Sequence, residues 1–215
     1  MNLRFLSLSD AGVKVRESED GKPILFGYAL KWGQKAKLFQ GWYERFDKGA
    51  FREAMDDVGL KLQHGGLYLV RSTAGDFSVA EDDVGLAYEA TLDREDAEHM
   101  SVYRRARRGV FGGASVGYLP KKGGTERELR KNGDIVETIK PGGVKLFPEI
   151  SIVNIPAFTG STVQVRMMEQ CLSELPEDLR QRRDELLSIV QEDHSVPKHA
   201  ARVRAMRARV LAAKE

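Results

Sequence analysis

Cysteine is nearly absent from the 215 residues. Cys171 stands alone, which excludes an internal disulfide framework and a multi-cysteine metal site, and fits a reducing compartment. Long apolar runs are missing as well. Nowhere do the roughly 18 consecutive apolar residues of a membrane-spanning helix occur, and the first 21 residues turn charged too early for the apolar region of a signal peptide. No export and no membrane partner are expected. An excess of one charge sign is lacking too: the formal net charge is +2, too small for a strong general field, so nucleic acid is not an expected partner. Phosphate-binding loops, dinucleotide fingerprints and H-E-x-x-H are absent, and neither cofactor nor metal is expected. Asp96 and His99 lie three apart on a predicted helix and could supply two metal ligands, but no third ligand stands at a diagnostic spacing and a solvated helix face is the default reading.

The hydrophobic fraction of 41% and charged fraction of 31% suit a folded, soluble chain. Residues 1–168 read as one strand-rich domain with two or three helices. Ile24, Phe26, Tyr28 and Leu30 alternate within 23–32, as do Leu86, Tyr88, Ala90 and Leu92 after a turn at 82–85. Val58, Leu60 and Leu62 form another alternating strand, and the same parity predicts the His64 imidazole on its apolar face, with Gly65-Gly66 ending the run. Asn132-Gly133 is expected to turn a hairpin between 126–131 and 134–140, and Gly142-Gly143 another turn. Asp47 is the expected N-cap of a helix over 48–56, and Asp93 that of a helix over 94–108 with a solvated arginine face. Residues 169–215 form a charged helical tail. Its first half, opened by Pro176, is acidic, and its second half, opened by Pro197, is basic; the two could pair with each other or dock on a partner.

Three segments could carry chemistry. In Gly112-Gly113-Ala114-Ser115-Val116-Gly117 the small neighbours would let a substrate backbone approach the Ser115 hydroxyl, although such runs also occur where two backbones pack closely. Residues 113–117 match the G-x-S-x-G elbow of α/β-hydrolases, but Leu119-Pro120 and the Lys-Lys-Gly-Gly after it are poor material for the helix that an elbow requires. An esterase is therefore the weaker alternative. His64 could take the serine proton near neutral pH, or it could be a hydrogen-bonded core histidine. Glu149, in the apolar strand from Lys145 to Val153, could orient that imidazole or could face water at a sheet edge.

Taken in order, the chain resembles the tailed-phage prohead protease family, related to the herpesvirus assemblin proteases. The resemblance runs through Phe26-Gly27-Tyr28-Ala29, then Glu44 to Phe51, then Val58 to His64. It continues through Gly85 to Ala90, Gly113 to Tyr118, and Glu149 to Val153 followed by Pro156-Ala157, roughly residues 24–166 in all. Lys48, where the family more often has proline, is a departure that affects only a helix start. The resemblance implies a mainly β fold with peripheral helices, built as a closed or nearly closed antiparallel β-barrel. It also implies a serine endopeptidase with catalytic His64 and Ser115, and Glu149 as third member. The implied substrates are scaffold, the scaffold segment of the capsid protein, and the protease itself, inside the procapsid in the host cytoplasm; a homo-oligomer is compatible with this. A non-catalytic assembly or scaffolding protein is the alternative that the charge-segregated tail suggests.

Overall fold

The structure is a computed structural model that describes residues 4–8, 13–39, 41–154 and 174–193. Within them thirteen strands form three sheets. The first has the order β1 (Arg4–Leu8), β10 (Gly113–Pro120), β13 (Val144–Val153), β6 (Gly59–Leu62), β7 (Gly65–Arg71). The second runs β11 (Thr125–Leu129), β12 (Ile135–Ile139), β5 (Trp42–Phe46), β4 (Ala36–Phe39), and the third β2 (Val13–Glu17), β3 (Pro23–Lys31), β9 (Gly85–Thr91), β8 (Phe77–Glu81). The α-helices among the described residues are α1 (Ala97–Arg107) and α2 (Glu177–Asp193).

Mainly β architecture with helices is as expected, but no sheet closes into a barrel through its hydrogen bonds. Two ladders, β5–β12 and β6–β13, are parallel, and register shifts between Tyr28 and Leu30 and between Gly117 and Leu119 interrupt the pairing. Such shifts bend strands and end ladders. The first two sheets instead meet through side chains, around an aromatic cluster in which Phe46–Phe51, Phe46–Tyr118 and Phe51–Phe147 centroids lie 5.1, 5.0 and 4.7 Å apart. Pairs of this kind add about 0.5–1.5 kcal/mol beyond the area they bury.

The expected strands at 23–32 and 86–92 are present, with Leu86, Tyr88, Ala90 and Leu92 buried. The β11–β12 hairpin forms too, and Gly133 takes the left-handed conformation (φ 80°) in its loop. Residues 48–56, by contrast, form successive turns and no helix. Gly49 is left-handed (φ 89°), which breaks the run of helical dihedrals, and the carbonyls of Gly49 and Ala50 accept from the amides of Gly142 and Val144, which ties the segment to the start of β13. Helix α1 starts three residues later than expected because Asp96, not Asp93, accepts from the amides of Glu98 and His99. Its buried residues are Val102, Tyr103 and Ala106, and its arginines 104, 105, 107 and 108 are exposed. Helix α2 follows Pro176 as expected; residues 155–173 and 194–215, including Cys171 and the basic half of the tail, lie outside the described residues.

Candidate active site

Strand β10 carries Ser115 opposite Ser151 of β13, and Ser151 in turn lies beside Lys61 of β6. Cross-strand partners point to the same side of a sheet. Ser115 and Gly117, Glu149 and Ser151, and Lys61 therefore share one face, while Val116, Ile150, Ile152 and Leu60 pack into the core on the other. Ser115 sits within a strand that runs on to Pro120, so the elbow geometry of an α/β-hydrolase is not present.

His64 reaches this face by a route that strand parity does not predict. β6 ends at Leu62, which pairs with Gly65, and Gln63 and His64 form the two-residue turn between them at φ 55° and 56°. Two successive positive φ values define the hairpin turn that usually carries Asn-Gly. Gly65-Gly66 is thus the start of β7, not the end of the run. Had His64 continued the strand it would share the core face of Leu60; the left-handed turn brings it to the face of Lys61. The Gln63 amide donates to the Ile152 carbonyl at 2.9 Å, and the His64 amide to Ser151 Oγ at 3.2 Å. Non-glycine residues in this conformation are uncommon and mark positions that their surroundings hold in place.

The side chains close a ring. His64 Nδ1 lies 2.7 Å from Glu149 Oε1, and the Ser151 hydroxyl donates to the same oxygen at 3.1 Å. Lys61 Nζ takes the other oxygen, Oε2, at 3.2 Å. Burial by itself would raise the Glu149 carboxyl, but the hydrogen bonds of His64 and Lys61 outweigh it and hold the group below the usual carboxylate range. An ionised Glu149 requires Nδ1 to donate, so the neutral imidazole carries its lone pair on Nε2. Ser115, Ser151 and Glu149 are buried, whereas the His64 side chain is 22% exposed. The imidazole and, to a similar degree, the Lys61 side chain are the parts of the ring that meet solvent.

A family model described as caudovirus prohead serine protease matches residues 10–174. The chain belongs to that family. Neither the curated proteins nor the solved structures contain a match to it. Membership makes the chain a serine peptidase of phage capsid maturation, which sets it in the context of a procapsid and a capsid-protein substrate. No helix among the described residues is long and apolar enough to cross a membrane.

The structure brings His64 and Glu149 into contact and sets Ser115 on the face they occupy. Asp96 and His99 belong elsewhere: Asp96 caps α1, the Asp93 amide donates to His99 Nδ1 at 3.0 Å, and His99 Nε2 donates to the Leu69 carbonyl at 2.8 Å. Lys61 and Ser151 escaped the sequence reading. Period 2 could have found Ser151, which shares Glu149's face of β13, but not Lys61, which parity sets on the face opposite the expected His64.

Proposed function

We propose that Ser115, His64 and Glu149 are nucleophile, base and orienting acid of an endopeptidase that cleaves the scaffold, or the scaffold segment of the capsid protein, and its own chain inside the procapsid. The observation that carries this is the 2.7 Å contact between His64 Nδ1 and Glu149 Oε1, made on the face that also bears Ser115. Glu149 fixes the tautomer, so Nε2 is the nitrogen that takes the Ser115 proton as the oxygen attacks the scissile carbonyl. The imidazolium then returns the proton to the leaving amine, Glu149 stabilising its charge in between. Water repeats the sequence on the acyl-enzyme and releases the second product. Ser151 and the Gln63–His64 turn hold the base in position by bonds that need not rearrange during these steps.

The test is co-expression with the phage capsid protein. Wild-type chain is expected to shorten the capsid protein and itself, and Ser115→Ala and His64→Ala to leave both at full length. Cleavage that continues in Ser115→Ala would refute the assignment.

A further inference from the structure

We infer that Lys61 is a positioning residue of this site: it holds Glu149 turned toward His64 and restrains how readily the imidazole takes up a proton. The inference rests on the catalytic assignment proposed above. Its first support is the division of the carboxylate. Oε1 is committed to His64 and Ser151 while Oε2 is committed to Lys61, so the group cannot rotate without breaking contacts on both sides. The second is that the ammonium is itself held. Lys61 is 19% exposed, and Nζ lies 4.6 Å from the centroid of the Tyr68 ring, a cation–π arrangement. Tyr68 in turn packs on Gly59, where a Cβ atom would stand 2.2 Å from the ring, so the absence of a side chain at 59 seats the ring that seats the lysine.

The consequence concerns charge. Lys61 and a protonated His64 are two cations sharing one carboxylate, and the lysine is already in place when the proton from Ser115 arrives. Removing its charge takes one of these two cations off Glu149, which favours the imidazolium and keeps the base blocked to higher pH. Lys61→Met retains the apolar stem against Tyr68 and removes only the charge, whereas Lys61→Arg retains the charge.

The experiment is a ¹⁵N NMR titration of the His64 ring in the full-length chain, paired with the pH dependence of Ser115 labelling by a fluorophosphonate probe. Lys61→Met is expected to raise the His64 midpoint by about 0.5–1 pH unit and to move the acid limb of labelling in the same direction, with Lys61→Arg restoring both. A folded Lys61→Met with an unmoved midpoint overturns the inference, and Lys61→Gln provides the same reading should the methionine variant fail to fold. The ring titration decides even where the probe does not reach Ser115. Labelling that persists in Ser115→Ala would instead refute the catalytic assignment, whatever the lysine variants do.

Discussion

Glu149 accepts from three side chains with two oxygens, and its chemistry follows from that crowding. Its folded carboxyl lies below the ordinary value, so the stability drawn from its ionised form is complete above that value and is lost as pH falls through the lower, folded one. Glu149→Gln preserves shape but not charge, and its amide no longer dictates which imidazole nitrogen holds the proton. By analogy with the orienting acid of serine triads, kcat is expected to fall about 10²–10⁴-fold with KM little changed, as read by steady-state cleavage of a capsid-protein peptide. A wild-type kcat in this variant would remove Glu149 from the mechanism.

The β6–β7 hairpin shows how an element can carry the proposed base through a conformation its sequence does not favour. Gln63 is exposed and left-handed, and asparagine tolerates that conformation better. Gln63→Asn is therefore expected to stabilise the fold by about 0.5 kcal/mol without loss of activity, measured by urea denaturation beside a cleavage assay; a clear loss of stability would show that the glutamine side chain supports the turn. This hairpin also marks where the sequence was legible and where it was not. Alternation in 86–92 reports both the strand and its core face, because Leu86, Tyr88 and Ala90 are buried there. In 23–32 it reports the strand but not the face: Leu25 and Ala29 enter the core, Phe26 and Tyr28 do not, and the register shift between Tyr28 and Leu30 brings Leu30 back to it. His64 was identifiable as a residue but not by its parity, since Gly65-Gly66 has the composition of a turn while the turn lies two residues earlier. The helix expected at 48–56 failed for a related reason: a left-handed Gly49 breaks the run, and the segment is bonded to the amides of Gly142 and Val144, remote in the chain. Local patterns do not contain partners of that kind.

Across the whole molecule, the first two sheets are joined by a buried cluster of charge. Arg4 of β1 meets Glu44 of β5 at 2.6 Å and Glu137 of β12 at 2.7 Å, and Tyr118 of β10 donates to Glu44. Arg127 of β11 bonds Glu137 at 3.0 Å, and both arginines reach Glu174, close to the start of α2. Burial pushes Glu44 up to about 7, with Arg4 opposing and Glu137 adding to the rise. Because the folded value exceeds the unfolded one, the folded state binds the extra proton between them. The contribution of Glu44 to stability is therefore complete below about 4.5 and is lost as pH rises toward 7, opposite in sign to that of Glu149. Glu44→Gln removes that proton from the balance. Urea midpoints at about pH 5 and about pH 8 are expected to fall between the two for wild type and to stay level in the variant; an equally steep fall in the variant would place the titration elsewhere. Nothing in the sequence pairs Arg4 with Glu137, so this cluster became visible only in three dimensions.

Strand β10 has β1 on one flank and β13 on the other. Its main-chain donors and acceptors are consequently spoken for along both sides, and an incoming polypeptide cannot zip onto it as an additional strand. On the catalytic assignment proposed above, a peptide would have to reach Ser115 from the face that bears His64, so the choice of where to cut would fall to side-chain shapes there and not to ladder pairing with β10.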